Sequence, residues 1–341
     1  MQPTSASPLG RRSLLRTAAG LPLVLIRSGP ARAAEFTYRL ATGSGINQLV
    51  NARLDQATGR IREATGGRLD IQSFPGTQLG SDNDQLAKLQ AGATEFLNIT
   101  GSRISSVAPA SDLTNLGFVF PSYAALWPVM DGDLGRLLRA RIEAAGVVVV
   151  SKAADNGFRQ ITSGKKPIRT PDDLLGFRIR LPDIAIFTTL FEALGATPAS
   201  AGFNDLRTKL QTHVIDGQEN SLAAIEFAKL YEVQKYVALT DHIWDPFWLL
   251  GNPQAVARLP DDLQEIVCRE FDRAAVEQRA DVVRQEATLH NSLAEKGLVL
   301  VDVDKASFRS ALDKAGFYKS WKPKFAPDLW AALEAVTGPL G

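Results

Sequence analysis

An α/β fold in two units is predicted from three observations. The chain has 341 residues, and at about 150 residues per domain that gives two. Strand and helix patterns alternate from Phe36 onward, and a second α/β unit begins near Gly157. Asp261 to Lys296 holds neither glycine nor proline, and at 1.5 Å per residue an unbroken helix there would be roughly 54 Å long. Such a helix is longer than a small lobe is wide, so it either crosses between two units or breaks in the middle.

The elements follow in order. Phe36, Tyr38 and Leu40 alternate as a strand, and Gly43-Ser44-Gly45 turns the chain. Ile46, Leu49, Val50, Leu54, Ala57 and Ile61 recur at helical spacing up to Gly66-Gly67. Leu69, Ile71 and Ser73 give a second strand, ended by Phe74-Pro75-Gly76. A helix capped by Ser81 or Asp82 and a strand from Phe96 to Ile99 come next. This order is the signature of a mostly parallel sheet with crossover helices. Residues 123–143 predict one further helix, and Val147 to Ser151 a strand. In the second unit, 158–162 and 177–181 read as strands, separated by a short helix with Thr170 as N-cap and Pro171 in its first position. Ile184, Phe187, Leu190, Phe191 and Leu194 form a helix stopped by Gly195. The apolar stripe from Leu263 to Leu293 keeps no strict heptad, which argues against a coiled coil.

Composition excludes several functions. Lys and Arg number 38 against 37 Asp and Glu, so the basic excess of a nucleic-acid-binding protein is missing. The single cysteine, Cys268, excludes an internal disulfide and multi-cysteine metal sites. His213, His242 and His290 have no metal-ligand spacing. No cofactor or metal is expected. Gly43-Ser44-Gly45 lacks the third glycine of a dinucleotide fingerprint, because Gln48 stands there.

Residues 1–33 read as an export signal rather than as part of the fold. Arg11-Arg12 and Arg16 precede an apolar run through Leu21 to Ile26, and Ala31-Arg32-Ala33 has the small-residue cleavage pattern. The paired arginines point to the twin-arginine route. The expected location is the periplasm, with cleavage near Ala33.

Two stretches carry a resemblance. One runs from Gly157-Phe158-Arg159-Gln160-Ile161-Thr162 to Thr170-Pro171-Asp172-Asp173-Leu174-Leu175-Gly176-Phe177-Arg178-Ile179-Arg180-Leu181-Pro182. The other is Asp216-Gly217-Gln218-Glu219-Asn220, followed by Tyr231-Glu232-Val233-Gln234-Lys235 and Leu239-Thr240-Asp241-His242. Together they resemble the substrate-binding protein of a TRAP (tripartite ATP-independent periplasmic) transporter, of the C4-dicarboxylate-binding type. The resemblance implies a two-lobed periplasmic solute-binding fold, with a ligand cleft between lobes and the long helix crossing both. Lobe 1 would take 34–156 and about 246–285, and lobe 2 would take 157–245 and about 286–341. The implied partners are a small organic acid and the membrane permease subunits of the transporter, with the binder a monomer or weak dimer and no nucleic acid involved.

The resemblance also assigns residues. Arg180 matches the arginine that forks onto the ligand carboxylate, a role suited to the parallel N–H donors of a guanidinium. Strand alternation places it on one face with Arg178, opposite Phe177, Ile179 and Leu181. Arg159 matches a second, orienting arginine, and Asn220 the amide that bonds the carboxylate. Asp216-Gly217 reads as a turn, with Gln218 and Glu219 as hinge or packing residues. Trp244, Phe247 and Trp248 cluster where the chain returns to lobe 1, and with Trp127 and Phe187 they are candidates for shaping the pocket. Ala87, Gly117 and Val256 depart from residues common in relatives. Residues 1–33 hold five arginines and no acids, so the remaining 308 residues carry a net charge of −4. Attraction of an anion is therefore expected from a local arginine pair, Arg159 and Arg180. Two rival readings share these features: a periplasmic two-lobed enzyme acting on a small acid, with His213 or His242 as its base, or a ligand-reporting sensor component.

Overall fold

Alternating apolar residues and glycine turns build two sheets. The computed structural model describes residues 33–341, and the expected export signal lies outside the described residues apart from Ala33. In chain order the strands are β1 (Phe36–Thr42), β2 (Leu69–Phe74), β3 (Phe96–Thr100), β4 (Val148–Val149), β5 (Arg159–Ser163), β6 (Arg178–Leu181), β7 (Thr197–Ser200), β8 (Gly217–Ser221), β9 (Tyr236–Ala238), β10 (Phe247–Gly251) and β11 (Val299–Val301). One sheet has the order β2-β1-β3-β10-β4 and the other β11-β9-β5-β8-β6-β7. The β1–β2 and β1–β3 pairs are parallel, as the strand–helix alternation predicts. The expectation of a mostly parallel sheet needs correction where the chain changes sheets. β10 returns antiparallel to β3 and β4, and β5 enters antiparallel to β8 and β9.

The helices explain other differences. The first begins at Leu49, three residues later than the apolar spacing suggests, and Ile46 is 67% exposed. Ser81 is the cap of the next helix, in a reciprocal capping box with Asp84. The single helix expected over 123–143 is two, Tyr123–Met130 and Asp133–Glu143. The chain folds tightly between them: a Cβ on Gly135 would stand 1.8 Å from the Met130 carbonyl oxygen, and one on Gly132 would stand 2.7 Å from that of Pro128. Thr170 and Pro171 open a 3₁₀ turn, Pro171–Leu174, with a capping box to Asp173. The strand expected over 147–151 is held to two residues.

The long helix, Asp261–Glu295, is unbroken. It packs on the helix Leu49–Ala64 beside the first sheet, and on Leu222–Phe227 and β11 at the second. The core also crosses between sheets. One apolar cluster includes Leu97 and Ile99 of β3, Ile179 and Leu181 of β6, and Phe317, Trp321 and Trp330 of the C-terminal helices. Those helices lie against both Asp133–Glu143 and Ala185–Ala193. Gly117 lies in this contact. A Cβ there would stand 2.4 Å from Leu190 Cδ1 and 3.0 Å from Leu312 Cδ1, so the side chains around it take the space a larger residue would need.

Candidate functional site

Strand register sorts the candidate residues. Arg180 stands beside Gln218, and Gln160 beside Asn220, so these four share one face of the second sheet. Arg159, Ile161 and Glu219 lie on the other face. The two arginines therefore occupy different environments, although both are near the same strand ends.

Arg159 is 6% exposed and paired with an acid. Its Nε donates to Glu219 Oε2, and its Nη2 donates to Glu219 Oε1 at 2.9 Å. The guanidinium carbon also lies 5.2 Å from the centre of the Phe187 ring. Glu219 has no exposed surface. Burial pushes its carboxyl pKa up, but the Arg159 charge, the nearby His242 and the Arg159 hydrogen bonds outweigh burial and hold it at about 2. His242 Nε2 lies 3.4 Å from the same carboxylate, and its Nδ1 is 2.7 Å from Thr240 Oγ1. Burial holds the imidazole pKa below its ordinary value, against the pull of Glu219.

Arg180 has no such partner. It is 3% exposed, and its Nε donates to the Ala201 carbonyl at 2.7 Å. Among the described residues no carboxylate pairs with it. Burial is the main reason its pKa falls to about 10; Glu219 opposes the fall, and the charges of Arg159 and Arg103 add to it. Water-inaccessible cations are normally paired, so this guanidinium is set up to take an anion. Asn220 lies on the same face. Its Oδ1 accepts from the Ser221 amide at 3.1 Å, and its amide nitrogen has no acceptor among the described residues.

The aromatic candidates are mostly committed to packing. Trp244 is buried and donates its indole N–H to Asp155 Oδ1 at 2.8 Å. Trp127 meets it edge-on, with ring centres 5.2 Å apart, and carries the Arg279 guanidinium carbon 4.0 Å from its ring centre. Phe187 is buried beneath Arg159, and Phe247 lies in the core of the first sheet. Trp248 differs: its buried indole nitrogen has no acceptor among the described residues. His213 is an exposed turn residue with φ of 55°, far from the environment of a buried base.

The segments that follow β1 and β8 meet each other, and open α/β sheets place ligands beyond such strand ends. β1 runs into Gly43 and Gly45, and β8 runs into the helix Leu222–Phe227. A Cβ on Gly45 would stand 3.4 Å from the Phe227 ring, so the two sides meet at this rim. An open cleft of ≈ 210 Å³ lies alongside, lined by Gln48, Ser221, Phe227, Gln278 and Glu286 among others. Arg180 is not on its lining, in keeping with its burial.

Sequence reasoning missed two contributors. Glu219, which reads as a hinge or packing residue in the sequence, pairs with Arg159 60 positions away. Arg103, in the short helix Gly101–Ile104 that follows β3, adds a positive charge that lowers the Arg180 pKa.

Comparisons with known proteins agree with the two-sheet α/β fold. The family model described as "Bacterial extracellular solute-binding protein, family 7" matches residues 47–320. A solute-binding protein of Verminephrobacter eiseniae is 30% identical over 312 residues, covering 90% of this chain and 92% of its own. Among solved structures, a TRAP periplasmic solute-binding protein of Roseobacter denitrificans with bound L-galactonate is 28% identical, with a TM-score of 0.78 over 89% of this chain and 99% of that one. One from Sulfurospirillum deleyianum with bound succinate is 25% identical, with a TM-score of 0.80 over 89% and 99% of the two chains.

Proposed function

The chain belongs to bacterial extracellular solute-binding protein family 7, and from that premise we propose that it captures a small organic acid by its carboxylate and delivers it to a TRAP-type ion-driven membrane permease. The observation that carries this reading is the buried Arg180 guanidinium with no carboxylate partner. A ligand carboxylate would complete it as a bidentate pair. Asn220 Nδ2 is the neutral donor that shares its face, and Arg159, held by Glu219, orients the strand ends. Trp248, with its free indole nitrogen, borders the site from β10, while Trp244 and Phe187 act as its packed support.

The lobes divide as 34–156 with about 246–285, and 157–245 with about 286–341. Closure is a hinge motion about the crossing strands and the long helix. The arginine-rich start directs the protein to the periplasm by the twin-arginine route, with cleavage near Ala33. It works there as a monomer or weak dimer and performs no chemistry on its ligand. This fits the pairing of His242 with Thr240 and Glu219, which leaves no poised acid–base pair beside Arg180.

The test is calorimetry on the mature protein, with the acid first identified by mass spectrometry of what co-purifies. Arg180→Ala is expected to lose binding by at least about tenfold, the scale of a charge-assisted hydrogen bond, with its circular dichroism unchanged. Unaltered binding in that variant would remove Arg180 from the site. Turnover of the acid would favour an enzyme instead.

A further inference from the structure

We infer that the cleft bordered by Gln48 and Glu286 binds a small organic ammonium group between the carboxylates of Asp155 and Glu286. Arg180 does not line this cleft, so the inference stands apart from the carboxylate site proposed above.

The first support is an acceptor left without a donor. Asp155 is 1% exposed and lines the cleft. Its Oδ1 accepts from the Gly157 amide at 2.9 Å and from the Trp244 indole at 2.8 Å. Its Oδ2 is buried and has no hydrogen-bond partner among the described residues. Gln278 cannot supply one, because it is held on the Asp155 backbone: its Nε2 donates to the carbonyl at 2.7 Å, and its Oε1 accepts from the N–H at 2.8 Å. Tyr123 gives its single hydroxyl proton to Glu286 Oε1 at 3.0 Å. Gln48 Oε1, on the same lining, is a second buried acceptor without a donor.

The second support is that both carboxylates meet at one glycine. The Gly157 amide donates to Asp155, and a Cβ on Gly157 would stand 2.9 Å from Glu286 Oε1. Among the described residues no lysine, arginine or histidine lines the cleft. The nearby cations are taken: Arg279 pairs with Asp131, Lys296 with Glu226, and Lys305 with Asp241. His290 lines a different cavity that Glu286 also borders. Burial raises the pKa of both acids, and the Asp155 charge adds to the rise at Glu286. Two acids placed together in this way are short of positive charge.

The lining also selects the kind of cation. An ammonium group carries three donors and no acceptor, which suits orphaned oxygens. Phe227 and Phe247 line the same cleft, and aromatic rings attract a cation while covering its alkyl carbons. A bare metal ion would leave these rings idle and fill little of the ≈ 210 Å³.

The probe is n-butylammonium chloride, titrated calorimetrically into the mature protein above pH 8, where Glu286 is ionised. Saturable binding is expected, at least about tenfold tighter than that of n-butanol, which has the same chain and no charge. Glu286→Gln keeps the shape and removes the charge, and is expected to weaken binding at least about tenfold. Asp155→Asn is expected to do the same, and thermal unfolding monitors the fold of both; the Glu286 variant decides where the other fails to fold. 4-Aminobutanoate separates two sources of the group. Affinity equal to that of n-butylammonium means a free amine, and at least about tenfold tighter binding means the ammonium end of the acid held at Arg180. Four results overturn the inference: butanol bound as tightly as the amine, undiminished binding in folded Glu286→Gln, no saturable binding of either amine, or displacement of the amine by equimolar sodium or calcium chloride. Each of them leaves the Arg180 carboxylate site standing.

Discussion

Two arginines from the same sheet, both buried, have opposite consequences for stability. Arg159 and Glu219 form a buried pair, and deleting one member leaves the other charged and alone. We expect Glu219→Gln to destabilise the protein by about 3–5 kcal/mol, measured as a lower urea midpoint. Arg180 starts without a carboxylate partner and is held only by the Ala201 carbonyl, so Arg180→Met in the unliganded protein is expected to leave that midpoint unchanged or raise it. A loss of stability there would mean that the Arg180–Ala201 hydrogen bonds outweigh the cost of burying the charge. The contrast was only half legible in the sequence. The Arg178-Ile179-Arg180 alternation already separated the arginines from the core face. The partner of Arg159 depended on β5 pairing with β8, a long-range register that no local pattern encodes.

At the level of elements, periodicity located the strands and helices of the first unit up to β4, together with β5, β6, the helix Ala185–Ala193 and the long helix, and it failed where close approach overrides it. The break between Met130 and Asp133 follows from contacts at Gly132 and Gly135 that a hydrophobic pattern does not contain. Gly117 is the same case at the junction with the C-terminal helices. Gly117→Ala is expected to cost about 1–3 kcal/mol through overpacking against Leu190 and Leu312, read from denaturant unfolding. The crossing segment and the long helix carry a pH dependence. Tyr123 donates to Glu286 Oε1 at 3.0 Å, and burial together with the Asp155 charge pushes the Glu286 carboxyl up to about 8. Burial likewise raises Asp155 to about 6. The folded state holds these protons more tightly than the unfolded chain, so stability falls as pH rises from the ordinary carboxylate range toward 8. Glu286→Gln should flatten that decline by at least about 1.4 kcal/mol between pH 5 and 8, the value of one pKa unit.

Across the whole molecule the two sheets share both a helix and an apolar cluster. Residues 34–341 are therefore expected to unfold in one transition, with equal calorimetric and van't Hoff enthalpies. Two resolved transitions would show that the sheets are independent. The two-lobed plan was legible from chain length, the repeated α/β alternation and the glycine-free stretch from Asp261. The mixed direction of the strands was not, because it depends on where the chain changes sheets. The lone guanidinium of Arg180 has a further consequence for how a carrier avoids wasted journeys. If the lobes shut on an empty cleft, they would seal in a charge that nothing neutralises, so the shut and vacant form is disfavoured. Cargo removes that penalty. The membrane machinery would then meet shut carriers that are mostly full, and a single side chain would keep empty ones from competing for its attention.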